Sequence, residues 1–505
     1  MVKKEVQPKE KSLPSTSNNP ATSLKPSADN KGLTVKKSDD VSEWYTQVIQ
    51  KAELIEYSQV SGCYILRPNA YFIWEKVQAF FDQLIKKDGV RNVYFPLFIP
   101  ENLLTREKEH VAGFAPEVAW VTHGGNTELK EKLAIRPTSE TIMYESYSKW
   151  IRSHKDLPLR LNQWCNVVRW EFKHPIPFLR SREFLWQEGH TCFAAKEEAV
   201  EETKTILNFY EQVFREMYAL PVLKGKKSSQ EKFAGADYTL SVEALLPSGK
   251  AIQGATSHHL GQNFAKAFDI AFLNDKQEKE YAWQNSWGIS TRSIGVMILM
   301  HGDDKGLVLP PKIAEKQVVI VPIFFGETKE KVLAEVEKMK AGLEKLGLRV
   351  HIDDREGYSP GWKFNEWEMK GVPVRIELGP KDLEKKQAVI VRRDTGEKKA
   401  VGLTSVIFEV PVLLNSIQDN LFQKAEQLLK SSIVKATNLK ETEKAIKEGK
   451  LVFAPWCASQ ECEDNFKEKT QAKSLNSPLQ QPKVSGDCFA CKKKATAWFY
   501  FGKSY

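Results

Sequence analysis

The chain has 505 residues, of which 41% are apolar, 10% aromatic and 28% charged, with 74 Lys and Arg against 65 Asp and Glu. This composition excludes collagen, a long coiled coil and wholesale disorder, and the length suits about three domains. The longest apolar run, Val318–Phe325, is far short of the roughly 20 residues a membrane helix needs, and the net charge of +9 suits a nucleic-acid partner without requiring one.

Residues 1–41 are built largely from Lys, Ser, Pro, Asn and Thr and hold no aromatic residue. Such a segment buries too little to offset its ordering entropy, which predicts a disordered tail. Its hydrophilic start lacks the apolar core of a secretory signal and predicts a cytoplasmic chain. From Ser42, the residues Trp44, Tyr45, Val48, Ile49, Ala52 and Ile55 recur at helical spacing. A second helix opens at Pro68, a residue suited to a first turn, and Gly89 breaks it. Val90–Pro100 reads as a strand. Strands then dominate to about residue 311, interrupted by one long helix over Lys196–Leu220. Few helices between strands predict an α+β domain over 42–311 with a mostly antiparallel sheet.

After Pro310-Pro311 the pattern changes. Strands Val318–Phe325, Leu348–Asp353, Val372–Leu378 and Ala388–Arg392 alternate with helices Lys329–Leu346 and Gly361–Lys370. This predicts an α/β domain over 312–415 with parallel pairing. Residues 416–505 read as a small α+β unit with two helical stretches and a last strand at Ala497–Phe501. Seven cysteines, an odd number in a cytosolic-looking chain, argue against a disulfide framework. Four of them form two close pairs, Cys457 with Cys462 and Cys488 with Cys491, which suits tetrahedral zinc with no open position.

Three motifs carry chemistry. Arg169-Trp170-Glu171 reads as a strand whose guanidinium and carboxylate share a face, followed by a cation- and proline-rich hairpin ending in Arg180-Ser181-Arg182. Gly288-Ile289-Ser290-Thr291-Arg292 leads into an apolar helix. Gly89–Phe98 places Pro96 in a strand, an edge feature against which another subunit can pack. Taken singly, each also suits a solvated strand face or an ordinary helix end.

Together and in this order they resemble the three signature motifs of class II aminoacyl-tRNA synthetases. Arg136–Thr141, Phe184–His190 and Gly254–Gln262 are similar to prolyl-tRNA synthetases of the eukaryotic and archaeal type, and the resemblance covers about residues 43–505. It implies ATP, L-proline and tRNA(Pro) as substrates, Mg²⁺ with the nucleotide, a structural Zn²⁺, a cytoplasmic homodimer and no membrane. It implies catalytic roles for Arg169 and Arg292. ATP would meet Arg169, Glu171, Arg180, Ser181, Phe184, Gln253, Thr256, Ser290 and Arg292, with Mg²⁺ near Gln253. Proline would meet Thr138, Glu140, Arg169, Trp186, Glu188, Phe233 and His258. The segment 312–415 resembles the group's anticodon-binding domain, with Arg355, Lys363, Lys370 and Arg375 as its cations. The interval between Arg169 and Arg292 leaves no room for an inserted editing domain. The tail could tether the enzyme to other synthetases. Two rivals remain at this point: a related enzyme for threonine or glycine, and a catalytically silent RNA-binding protein.

Overall fold

The computed structural model describes residues 32–104, 117–324 and 326–505. Residues 1–31 of the expected tail, and Phe325 at the end of an expected strand, lie outside them. Residues 32–40 are not a free tail. Leu33 and Val35 pack on the main core, and the Lys37 ammonium donates to the Gly302 carbonyl at 2.6 Å. Two apolar residues suffice to dock this stretch but are too few to register in its average composition.

Helix α1 (Val41–Lys51) starts where the Asp40 carboxylate accepts from the amides of Ser42 and Glu43. Helix α2 (Pro68–Lys87) buries Ile73, Trp74, Val77, Phe81 and Ile85. The strand expected over Val90–Pro100 resolves into two pieces. Strand β1 (Arg91–Asn92) joins the main sheet, and Phe98–Pro100 joins a separate three-stranded sheet. Pro96 has no N–H to continue a ladder between them.

Helix α3 (Glu140–Trp150) precedes the strands of the main sheet: β2 (Leu159–Val168), β3 (Glu183–Phe193), β4 (Leu223–Lys226), β5 (Tyr238–Leu245), β6 (Lys250–Gly261) and β7 (Trp283–Ser290). Helix α4 (Lys196–Gln212), extended by a wider turn over Val213–Met217, lies across this sheet. The approach is close: a Cβ on Gly254 would stand 2.3 Å from the Phe214 ring; within the sheet, one on Gly189 would stand 2.2 Å from the ring of its cross-strand partner Trp287. Helix α5 (Arg292–His301) follows β7 directly. Apart from β1 on β2, the pairings among these strands are antiparallel, as expected.

The next unit holds β8 (Val318–Pro322), α6 (Lys329–Lys345), β9 (Val350–Ile352), α7 (Pro360–Met369), β10 (Val374–Leu378), β11 (Gln387–Arg392) and β12 (Lys398–Gly402), with sheet order β9-β8-β10-β11-β12. Pairing is parallel among the first three strands but antiparallel for β10–β11 and β11–β12, which corrects the all-parallel expectation. The tight return through Gly396, at φ +74°, forces β12 back beside β11.

Helix α8 (Val406–Ser432) runs unbroken through the boundary expected at residue 415. Its early residues Val406, Val410, Leu414 and Ile417 pack in the α/β core, while Leu429 packs with the last unit. There follow β13 (Ile433–Lys435), α9 (Leu439–Lys447), β14 (Leu451–Trp456), α10 (Gln460–Thr470), β15 (Lys473–Ser474), β16 (Ser477–Pro478) and β17 (Ala497–Ser504). This unit does not stand apart. Strand β17 pairs in parallel with the start of β6, Lys250 facing Lys503, and β16 pairs with β4. The result is one 12-stranded sheet. Gly189→Ala should bring the thermal midpoint down, since overpacking a rigid aromatic contact costs about 1–3 kcal/mol.

Candidate active site

Register builds the site in rows across the sheet. His190 on β3 faces Ser286 on β7, Ser286 faces His258 on β6, and His258 faces Thr239 on β5. One row along, Glu188 faces Gly288 and Gly288 faces Thr256. Because side chains alternate, Phe184, Trp186, Glu188 and His190 share one face. Gly288 leaves the middle of its row without a side chain and so opens a cavity. The cavity is lined by Thr138, Glu140, Arg169, Phe184, Trp186, Glu188, Phe233, Gln253, Thr256, His258, Ser290 and Arg292, all anticipated from the sequence.

One end is a buried acidic cluster. Glu188, 2% exposed, accepts from the Ser139 amide at 3.0 Å, from the Ser139 hydroxyl, and from Gln163 at 3.3 Å, and it pairs with His190 Nε2 at 3.0 Å. Burial opposes both charges, but each outweighs it for the other. The carboxyl is held below its ordinary range by His190 and Ser139, and the imidazole is raised by Glu140 and Glu188. The Thr138 hydroxyl donates to Glu140. This leaves the Thr138 oxygen and the Glu140 carboxylate as two acceptors side by side.

The imidazole of His258 is neutral. Burial, then the charges of His190 and Arg169, bring its pKa down to about 3. Thr239 Oγ1 accepts from the Phe233 amide at 2.9 Å and lies 2.8 Å from His258 Nδ1. On the other side His258 Nε2 lies 2.9 Å from Thr256 Oγ1, so each ring nitrogen has a hydroxyl partner.

The other end is cationic. Arg169 Nε donates to the Pro137 carbonyl at 3.1 Å, and its guanidinium lies over the rings of Trp186 and Phe184 at 5.2 and 5.6 Å. Arg292, first residue of α5, donates to the Leu179 carbonyl at 3.1 Å. Burial and the charges of Arg169 and Arg180 lower its pKa to about 10, still protonated at neutrality. Two guanidiniums anchored by carbonyls at one cavity make an anion site.

Three anticipated residues do not line this cavity. Strand β2 ends at Val168, so Glu171 falls in the following turn and is exposed, rather than alternating with Arg169. Arg180 is exposed on the hairpin, and buried Ser181 lines a neighbouring cavity with Phe184 and Thr291. Conversely, His190, Glu231, Lys232, Thr239 and Ser286 line the cavity and were not anticipated. Period-two alternation from Phe184 carries the signal for His190. Nothing local marks the others.

In the α/β unit the four expected cations are engaged within the fold. Arg355 chelates Asp353 at 2.8 Å and reaches Glu366 at 2.6 Å, and Lys363 donates to the Asp353 carbonyl. Lys370 pairs with Glu366 and Glu53, and Arg375 with Glu377. Arg355 also lies over the stacked rings of Tyr358 and Trp362.

The sulfurs of Cys457, Cys462, Cys488 and Cys491 all lie within 4.8 Å of one another. Cys457 is 3.5 Å from Cys491, and Cys462 is 3.7 Å from Cys488. With Zn–S bonds of ~2.3 Å, a tetrahedron has sulfur–sulfur edges of about 3.8 Å. The donor set therefore fits zinc. The Cys488 thiol is lowered, first by its hydrogen bond with Cys462 and also by backbone amides, while the same bond raises Cys462.

An antiparallel sheet that carries arginines over an aromatic-walled cavity is the architecture of class II aminoacyl-tRNA synthetases. The tRNA synthetase class II core domain of the G, H, P, S and T group matches residues 120–301, an anticodon binding domain matches 317–412, and the prolyl-tRNA synthetase C-terminal domain matches 439–505. The proline–tRNA ligase, cytoplasmic, of Arabidopsis thaliana is 53% identical over 94% of this chain and 91% of its own length. The proline–tRNA ligase of Ruminiclostridium cellulolyticum is 51% identical over 93% of this chain and 97% of its own. The bifunctional glutamate/proline–tRNA ligase of Cricetulus griseus is 51% identical over 94% of this chain, which spans only 33% of that protein. The chain belongs to the proline–tRNA ligase family.

Acid should destabilise the protein through His258. Its folded pKa, about 3, lies below the ordinary 6.5, so between those values the unfolded chain binds the extra proton and stability falls as pH drops. In His258→Asn the loss of stability between pH 6.5 and 5 should be smaller, by up to about 1.4 kcal/mol per pH unit. Denaturant midpoints across that range measure it.

Proposed function

We propose that this chain activates L-proline with ATP, forming prolyl-adenylate and pyrophosphate, and then transfers proline to the 3′-terminal adenosine of tRNA(Pro). The observation that carries the reading is the paired acceptor of Thr138 and Glu140 beside two guanidiniums. Proline is a charged secondary amine with two N–H donors, and this pair answers both. Its ring would lie against Trp186, Phe233 and His258, and a neutral His258 adds no charge to repel the cation. The proline carboxylate attacks the α-phosphorus and pyrophosphate leaves. Arg169 would hold the α-phosphate and the substrate carbonyl. Arg292, Gln253, Thr256 and Ser290 would meet the rest of the nucleotide, and Phe184 would stack on adenine. In the second step the ribose hydroxyl of tRNA attacks the acyl carbon, the bond from that carbon to the phosphate oxygen breaks, and AMP leaves. Catalysis is positioning and charge stabilisation, with no protein nucleophile.

Glu171, Arg180 and Ser181 sit on the hairpin beside the cavity, and the proposal keeps them as nucleotide contacts made when that hairpin closes. Mg²⁺ bound with ATP near Gln253 would neutralise phosphate charge. A silent RNA-binding protein has no need of Arg169 and Arg292 aimed into a common cavity. A homodimer is part of the proposal, supported by exposed Tyr94, Phe98 and Trp120 around the Pro96 segment. So is a cytoplasmic location, supported by the name of the Arabidopsis relative; among the described residues no helix is long and apolar enough to cross a membrane. The proposed tether to other synthetases falls chiefly on residues 1–31, outside the described ones.

Pyrophosphate exchange should respond to L-proline far more than to threonine or glycine, and equal stimulation by threonine would defeat the assignment. Arg169→Ala should lower turnover by about a hundredfold to a thousandfold with the fold intact. Early melting with normal turnover of the surviving protein would make Arg169 structural instead. We further propose one structural Zn²⁺ held by Cys457, Cys462, Cys488 and Cys491. Elemental analysis should find one zinc per chain, and Cys488→Ser with Cys491→Ser should release it and lower the thermal midpoint.

A further inference from the structure

The turn over residues 227–237 forms one rim of the cavity. Glu231, Lys232 and Phe233 line the cavity, and the ring of Phe233 lies 4.7 Å from that of His258. The catalytic domain holds this turn from one side. Lys227 is paired with Glu243 at 2.7 Å in a buried site, and the Phe233 amide donates to Thr239.

The last unit of the chain holds it from the other side. The Ser228 hydroxyl donates to Glu463 on α10 at 3.1 Å, and the Ser474 hydroxyl donates to the same carboxylate oxygen. Asn476 donates to the Leu223 carbonyl at 3.0 Å. At Gly225 the two backbones meet directly: a Cβ there would stand 2.3 Å from the Ser477 carbonyl oxygen. Finally, Lys473 Nζ donates to Glu231 Oε2 at 2.8 Å, across 242 residues of sequence.

These contacts are not equivalent. Ser228, Glu463, Ser474 and Asn476 are buried, and replacing one strands polar partners in the core. The pair of Lys473 and Glu231 is partly exposed, with side chains 31% and 19% accessible. It can be removed without leaving a buried hole. Of these partners of the last unit, only Glu231 lines the cavity. Lys473 neutralises that carboxylate and draws it to the rim. Released, Glu231 would be a third carboxylate in a cavity that already holds Glu140 and Glu188. It would compete for the substrate's cationic nitrogen and repel its carboxylate, and Phe233, two residues on, would lose its fixed backing.

We propose that Lys473 is a positioning residue for the amino-acid pocket, acting through Glu231 from outside the catalytic domain. This rests on the proline-activation reading above. The arrangement makes the last unit part of amino-acid recognition while ATP recognition stays with the Arg169–Arg292 end.

Pyrophosphate exchange by the full chain tests it. Lys473→Ala should raise the KM for proline about two- to fivefold, the range of a partly exposed ion pair, and leave the KM for ATP, the thermal midpoint and the zinc content as in the parent. Lys473→Arg should restore proline KM. In a Glu231→Gln background, Lys473→Ala should add nothing further, because the two residues act as one unit. An unchanged proline KM in Lys473→Ala overturns the proposal. So does a parallel rise of proline and ATP KM with earlier melting, which marks a merely structural contact. A parent enzyme stimulated by a different amino acid overturns the proline assignment instead, and the Lys473 effect then falls on the KM of that amino acid.

Discussion

A carboxylate only 2% exposed keeps its charge only if several donors replace its water, and the site is organised around Glu188, which meets that condition. Its partners come from three elements: Ser139 at the start of α3, Gln163 on β2 and His190 on its own strand. Ser139 stands at the N-cap of α3, yet its hydroxyl caps no helical amide and goes to Glu188 instead. Some helix stability is thereby given up to tie α3 to the sheet. The tie fixes the neighbours on either side of Ser139, and these are Thr138 and Glu140. The acceptor pair of Thr138 and Glu140, proposed for the substrate's amino group, is thus set by a buried interaction one residue away.

The cationic end works in the opposite sense. Burial, then the nearby charges of Arg169 and Arg180, disfavour the charge of Arg292. Backbone carbonyls hold their Nε groups, which fixes direction without cancelling charge. An arriving polyphosphate would relieve that repulsion. Part of its binding therefore derives from relief of like-charge repulsion between guanidiniums whose direction is already fixed.

How far the sequence discloses this depends on whether the signal is local. Residues on β3 and β7 alternate, so short stretches such as Phe184–His190 fix which side chains share a face; on β6 a register shift at Gly254 breaks the phase between Gln253 and Thr256, and twelve expected site residues still line one cavity. The alternation fails at Glu171 because β2 stops three residues earlier and the phase is lost in the turn. In the α/β unit helices connect the first three strands, a pattern that predicts parallel pairing; the β11–β12 hairpin has only a glycine turn to announce it. Lys363 looks available in one dimension but folding seats it against Asp353, whereas Arg375 meets Glu377 two places along its own strand. Zinc spacing was legible as two sequential pairs. The close contacts instead join Cys457 to Cys491 and Cys462 to Cys488, one sulfur from each segment, so the cluster clasps two segments together.

What no local pattern discloses is that the last unit completes the catalytic sheet. Strand β6 is flanked by β17 at its start and by β7 further along, and it is the strand that carries Gln253, Thr256 and His258. The two-residue strand β16 is too short for any periodicity, yet it seats the chain beside β4 at the root of the 227–237 turn. Glu463 follows Cys462 directly on α10, so the cysteine cluster and the contact with Ser228 sit on one helical turn. The helix that carries Cys462 thereby supports the rim of the cavity, because Glu463 beside it holds Ser228. In this fold the catalytic domain is complete only when the chain has returned to it.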